Sequence, residues 1–461
     1  MSIAFGPTTT RSQANKCAIC LDPLVSYEQE NYFARMRTVA PFRCTHQFHE
    51  ACVAPWLQRA DSCPLCRAPD INAVVAPAPG HIPWHLSAPG RAALLELRNV
   101  VGTYNTLNMN GTRLDLDSVT ALGNALQGNT SVARLVLANC RLGPEGGVAL
   151  ANALHGNTTI MCWQFKGNEL GPEGGVALAN ALQGNTALRV VIIANNGLGP
   201  VGCVTVANAL RGNTTLRWLS LNGNRMGPEG GVAFANALQG NNTLVSIELA
   251  SNQLGPEGGE ALAGALQGNT VLALLNLRNN QLGAGSGVAL ANALRGNPRL
   301  RVLDFSRNQL GPEDGVAIAA AIHGKTSLEW LLLGENQLGP EGGAAVANAL
   351  QGLVLIEKLG LSGNRVGPEC GVALANALRG KTNLKELKLD GNEFGPVGGM
   401  AFVDALRGNT TLRGDIDLSN NQMGPESTDA IFYASQGNTE LRAALGIPLN
   451  LNLTSNHTEP H

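Results

Sequence analysis

The sequence predicts an α/β solenoid, a curved stack with a parallel inner sheet and outer helices, preceded by a small metal-folded module. Three observations lead there. The pattern L-x-x-L-x-L-x-x-N-x-L, as in Leu216, Leu219, Leu221, Asn224 and Met226, returns every 28 residues, with one 29-residue step at the end. Each copy is followed by a stretch of the type GPEGGVALANALQGN. Eight residues with metal-binding side chains crowd the first seventy positions: Cys17, Cys20, Cys44, His46, His49, Cys52, Cys63 and Cys66.

The N-terminal module comes first in the chain. Its opening, MSIAFGPTTTRSQ, lacks the basic start and apolar run of a signal peptide. The ligands follow as C-x-x-C, a long loop, C-x-H-x-x-H-x-x-C, a shorter loop and C-x-x-C. Zinc takes four nitrogen or sulfur ligands in a tetrahedron, and ligands two residues apart grip one side of an ion. Eight ligands make two closed sites with no open coordination position. Such sites are structural, which argues against a zinc-activated water. So short a segment buries too little apolar surface to fold alone, and metal must supply much of its folding free energy. Phe48 and Leu57 are candidates for its small core.

The string from His46 to Arg67, HQFHEACVAPWLQRADSCPLCR, resembles the RING finger in its variant with two central histidines, over residues 14–69. The resemblance implies an alternating ligand order. Cys17, Cys20, His49 and Cys52 hold the first zinc; Cys44, His46, Cys63 and Cys66 hold the second. It also implies a shallow apolar groove for a ubiquitin-conjugating enzyme, at the positions of Ile19, Trp56 and Pro64. Arg67 matches the family's linchpin cation, which bridges the conjugating enzyme and its loaded ubiquitin. A planar, permanently charged guanidinium suits that bridge better than an ammonium.

Residues 70–92, including AVVAPAPGHIPWHLSAPG, are rich in Pro, Ala and Gly and read as a semi-extended linker. The repeat array then begins. Its asparagine slot falls at Thr112, Cys140, Asn168, Asn196, Asn224, Asn252, Asn280, Asn308, Asn336, Asn364, Asn392 and Asn421, which makes twelve units. Within a unit, Leu219 and Leu221 point into the core and Ser220 points out, because strand side chains alternate. Asn224 turns the chain, and its amide can satisfy backbone groups buried there. Gly227-Pro228-Glu229 opens a helix and Gly240 closes it. No unit buries its apolar face alone, so neighbours must stack. The unit resembles the ribonuclease-inhibitor type of leucine-rich repeat, over residues 93–447 with end caps at Arg91 to Val100 and Ala430 to Gly446. Residues 448–461 read as a flexible tail.

Several signals lose their force in this frame. GPEGG recurs as a turn and packing device and is no phosphate loop. Cys203 and Cys370 replace glycines of that turn, so small size qualifies them. The N-x-T sequons at Asn157, Asn213 and Asn409 are repeat consensus. Formal net charge is -2, so no basic footprint points to nucleic acid. No run of 18 apolar residues spans a membrane. Dispersed cysteines outside the ligand set suggest a cytoplasmic protein, with the nucleus as a second compartment.

Together the two resemblances imply a RING-type ubiquitin-protein transferase. Its cofactor is zinc, two ions per chain. Its partners are a conjugating enzyme with ubiquitin and a protein substrate on the concave repeat face. Outward strand positions there are Val190, Ile192, Trp218, Leu274, Val302, Trp330 and Leu332, with Trp218 and Trp330 as anchor candidates. Trp163 takes a leucine slot and is expected inside, beside Phe165. The alternative is a non-enzymatic adaptor or sensor with a structural zinc finger. A GTPase-activating function would borrow from the repeat resemblance alone, and a fold shared by many functions does not transfer one.

Overall fold

The computed structural model describes residues 38–39, 48–49, 106–379, 381, 383–407, 414–436 and 449–456. The chain divides into two compact units, residues 1–83 and 84–461. In the first, strands Thr38–Val39 and Phe48–His49 pair antiparallel, with Thr38 opposite His49. His49 is thus placed at the end of a strand pair. The other ligand positions, Cys17, Cys20, Cys44, His46, Cys52, Cys63 and Cys66, lie outside the described residues, as do Ile19, Trp56, Pro64 and Arg67. The expected cap at residues 91–100 and residues 437–446 of the expected cap at 430–446 also lie outside them.

The second unit is a single parallel sheet of thirteen strands in strict sequence order. It runs from Thr106–Asn108 to Leu449–Asn452, and among the described residues each strand but the last is followed by a helix. Neighbouring strands pair in constant register, Trp218 opposite Ser246 and Leu219 opposite Ile247. The inward leucines make one continuous core through all repeats. Leu216, Leu219 and Leu221 are buried as expected, and so are Trp163 and Phe165, whose rings stack at 5.7 Å.

Most helices start at the first glycine of GPEGG or its variants, the exceptions being Leu116–Leu126, Ser286–Leu294 and Pro312–Ile322. In the unit of Asn224 the helix is Gly227–Leu238, with Pro228 in its first turn. Gly227 and Gly240 have φ of 69° and 72°, the left-handed region that favours glycine. The second pair of glycines has another task. A Cβ on Gly231 would meet Gly258 Cα of the next helix at 3.1 Å. Helices therefore approach over small residues, and Cys203 and Cys370 sit buried in these seams.

The asparagine slot is a ladder. Asn224 Nδ2 donates to Ile193 O and Leu221 O, both at 2.9 Å, and its Oδ1 accepts from Asn196 N at 3.0 Å. The same bonds recur at Asn252, Asn280, Asn308 and onward. In the slot at Cys140 the thiol donates to Met109 O at 3.1 Å. A second ladder joins the helix ends. Asn185, Asn213, Asn241 and Asn269 each donate through Nδ2 to the main-chain oxygen 28 residues earlier. The sequon residue Asn213 is one of its rungs.

The C-terminal boundary needs correction. Leu449–Asn452, expected within a flexible tail, is the last strand of the sheet and pairs with Gly414–Asp417. Asn456 is fully buried and takes the asparagine slot: its Oδ1 accepts from Asn421 N, and its Nδ2 donates to Leu418 O. A further unit thus follows the twelve, 35 residues after Asn421 instead of 28. The irregular step hid it from a search at fixed period.

Candidate functional site

Outward-pointing residues of consecutive strands line up in columns across the concave face, because the register never slips. Parallel strands lie about 4.8 Å apart, so side chains in one column touch their neighbours. This close spacing decides which of the expected partner-binding residues are available. Val190, Ile192, Trp218 and Leu332 are partly exposed. Leu274, Val302 and Trp330 are buried, which corrects their assignment as free contact points. Val302 lies in register between Leu274 and Trp330, and each bulky outward side chain covers the next. Trp330 is 3% exposed, with Lys358 Nζ 4.4 Å from its ring centroid.

Trp218 behaves differently. Its indole leans across the neighbouring strand and donates from Nε1 to Glu248 Oε1 at 2.9 Å. Glu248 also accepts from Asn222 Nδ2 at 2.9 Å and from Ser220 Oγ at 3.3 Å. Burial pushes this carboxyl above the usual carboxylate range, and these three donors pull against the shift. Asp304, two strands further along the same column, is also raised by burial, opposed chiefly by Ser306 and weakly by the Arg278 charge. The acidic pair was missed in the sequence. The available signal was an acid at the third residue of every second strand, where Ser220, Glu248, Asn276 and Asp304 form one polar column. Two buried polar atoms nearby, Ser246 Oγ and Trp330 Nε1, have no hydrogen-bond partner.

Toward the C-terminal end the face becomes a lattice of ion pairs. Arg301 meets Glu329, Lys358 meets Glu386, Lys385 meets Glu357, and Lys388 lies 3.9 Å from Asp417. The inner face therefore offers a partly exposed tryptophan, apolar neighbours, one half-buried and one buried acid, and a charged end. This mixture suits a protein surface better than a small molecule.

Nothing among the described residues of the repeats duplicates the N-terminal set of Cys and His residues. Among the described residues no cluster of His, Cys, Asp or Glu could hold a metal, and no helix is long and apolar enough to cross a membrane. Cys140, Cys162, Cys203 and Cys370 are buried free thiols. Desolvation pushes Cys203 and Cys370 up to about 12, and Cys140 and Cys162 to about 11. They stay protonated, whereas a zinc ligand must be a thiolate. The six cysteines of the first unit, with His46 and His49, are a donor set suited to tetrahedral zinc.

Comparison with known proteins agrees with this division. Residues 15–67 match the RING-H2 zinc finger domain. Residues 128–151, 156–179, 212–235, 240–263, 296–319 and 380–403 match the Leucine Rich repeat family. Over 63 residues the chain is 41% identical to the E3 ubiquitin-protein ligase RNF181 of Xenopus laevis, covering 13% of this chain and 35% of that protein. Over 57 residues it is 37% identical to the E3 ubiquitin-protein ligase RING1-like of Arabidopsis thaliana, covering 12% and 15%. The chain thus spans about a third or less of the length of the curated relatives it matches. A solved structure titled "Crystal structure of Rad7 and Elc1 complex in yeast" is similar at 17% identity and a TM-score of 0.44, covering 73% of this chain and 85% of that one. The chain thus carries a segment similar to the RING-H2 zinc finger domain at residues 15–67, followed by an array similar to the Leucine Rich repeat family.

Proposed function

We propose that this chain is a RING-type ubiquitin-protein ligase whose repeats recruit the protein to be modified. The observation that carries the reading is the RING-H2 match over residues 15–67, with relatives named as E3 ubiquitin-protein ligases. All eight ligand positions are filled, and Ile19, Trp56, Pro64 and Arg67 stand in the family's frame. Two zinc ions, one on Cys17, Cys20, His49 and Cys52 and one on Cys44, His46, Cys63 and Cys66, supply the folding free energy of the finger. The reaction needs no nucleophile from this chain. Ile19, Trp56 and Pro64 form the apolar seat for the conjugating enzyme. Arg67 hydrogen-bonds enzyme and ubiquitin together and holds the thioester in one orientation. The gain comes from restricting a mobile donor so that a substrate lysine attacks a fixed carbonyl.

The concave face supplies the substrate seat, with Trp218 as its anchor and Val190, Ile192 and Leu332 beside it. Cytosol or nucleus is the compartment in keeping with the buried free thiols of the repeats. The test is a reconstituted reaction with ubiquitin, ATP, activating enzyme and a panel of conjugating enzymes. Conjugates that form with the native chain and vanish with Ile19→Ala support the ligase. A native chain that binds zinc yet accelerates no conjugating enzyme in the panel leaves only an adaptor function.

A further inference from the structure

The chain contains seven lysines against 25 arginines, and only lysine accepts ubiquitin on its side chain. Six lysines fall in the described repeats: Lys166, Lys325, Lys358, Lys381, Lys385 and Lys388. None lies in a described helix, so the helical, convex side carries none of them. Their surroundings divide them sharply.

Lys325 and Lys381 stand in the second ladder, at the position that Asn185, Asn213, Asn241 and Asn269 hold in earlier units. Lys325 Nζ donates to Asn297 O at 2.5 Å and Arg295 O at 3.1 Å. Lys381 is 8% exposed, and its Nζ donates to Leu350 O, Leu353 O and Gln351 O at 2.7, 2.9 and 3.3 Å. The carbonyls at a helix C-terminus carry partial negative charge and favour such a cation. These two ammonium groups are structural clamps: Lys381 is buried and Lys325 partly exposed, and each must let go of its carbonyls and lose a proton before its nitrogen can act as a nucleophile.

The other four lie on the strand side. Lys166 follows the strand Cys162–Gln164 at an outward position and is exposed. Lys385 and Lys388 bracket the strand Glu386–Lys388, with side chains 60% and 42% exposed. Their ion pairs with Glu357 and Asp417 are solvent-facing and weak. Lys358 is held more tightly, between Glu386 at 3.1 Å and the Trp330 ring.

We propose that self-ubiquitination of the repeat array is confined to its strand side, at Lys166, Lys385 and Lys388, the face that receives the partner. The inference rests on the ligase reading above. The neutral Nζ attacks the thioester carbonyl of ubiquitin carried by the conjugating enzyme. The C–N bond forms, the C–S bond breaks, the enzyme's cysteine leaves as thiolate, and the surplus amine proton passes to solvent. A partner seated on the concave face and ubiquitin on these amines exclude one another, so an unoccupied array is the form open to modification.

Two measurements on the full chain test this separately from the ligase reading. First, the chain is acetylated with an N-hydroxysuccinimide ester under native conditions and the lysines are mapped by mass spectrometry. Lys166, Lys385 and Lys388 should react at least about tenfold faster than Lys325 and Lys381, whose labelling requires local opening. Equal rates would overturn the proposal whether or not the chain is a ligase. Second, ubiquitin remnants are mapped after the reconstituted reaction. Remnants on the strand-side set, lost in the K166R/K385R/K388R variant without moving to Lys325 or Lys381, are expected. Remnants on Lys325 or Lys381 at levels comparable with Lys166 would overturn it. A chain that conjugates no ubiquitin refutes the ligase reading and, with it, this proposal, while the acetylation ranking still reports on the clamps.

Discussion

Replacing Asn224 by alanine removes one rung of the asparagine ladder at the centre of the array. Four hydrogen bonds go with it: Nδ2 to Ile193 O, Nδ2 to Leu221 O, Asn196 N to Oδ1, and a longer one from Leu198 N to Oδ1 at 3.5 Å. Leu221 O keeps a second donor in Asn252 Nδ2 at 2.9 Å. The Asn196 amide and Ile193 carbonyl lose this partner in a site that Asn224, itself fully buried, seals from water. A buried group left unpaired costs about 1–3 kcal/mol, so Asn224→Ala should lose about 3 kcal/mol in all. Asn224→Asp should cost at least as much, since a carboxylate cannot donate to the two carbonyls and must bury its charge or take up a proton. The control is Asn236→Ala, an exposed position in the helix of the same repeat, with an expected change within about 0.5 kcal/mol. Urea unfolding of the full chain, followed by far-ultraviolet circular dichroism, gives both values. An Asn224→Ala variant that unfolds at the same urea concentration as the control would refute the ladder as a source of stability.

Other expectations follow from the same geometry. Trp330→Ser should destabilise the array by about 3 kcal/mol, as a buried aromatic does, while Trp218→Ser should cost less stability and more partner affinity; equal thermal midpoints for the two variants would contradict this. Because burial raises the Asp304 carboxyl, the folded state favours the protonated form. Its stability contribution is therefore present below the unfolded pKa and lost as pH rises through the folded one. The native chain should accordingly gain stability relative to Asp304→Asn from pH 8 to pH 4.5, read as a shift of the urea-midpoint difference in favour of the native chain; a constant difference counts against the shift. Cys203 and Cys370, with thiols near 12, should resist iodoacetamide in the native chain and react only after unfolding. In the first unit, Cys44→Ser or Cys63→Ser should abolish zinc uptake and folding of residues 14–69 while the repeats keep their circular dichroism; elemental analysis finding fewer than two zinc ions in the native chain would contradict the closed ligand sets.

The sequence by itself determined the division of the chain and the plan of each repeat. Ligand spacing is a local covalent fact, so C-x-x-C and C-x-H-x-x-H-x-x-C can be read without knowing any contact. The period is local too. Each unit repeats the same solution to the same burial problem, which is why the inward place of Leu219, Trp163 and Phe165, the helix opening at Gly227 and the role of Asn224 could be read in advance. Tertiary structure decided what depends on neighbours. Outward positions alternate in any strand, but whether Val302 or Trp330 is open depends on the bulk of the side chains one strand away. The chain does not bring those residues near each other in sequence; the register does. The same holds for Glu248, which becomes a half-buried acid only because Trp218, Ser220 and Asn222 of the preceding unit close over it. It holds for Lys381, a basic residue by sequence, which the stack turns into a buried clamp on the carbonyls of the preceding helix end. It holds for Asn456, whose place in the ladder follows from hydrogen bonds to Asn421 and Leu418 across an irregular step.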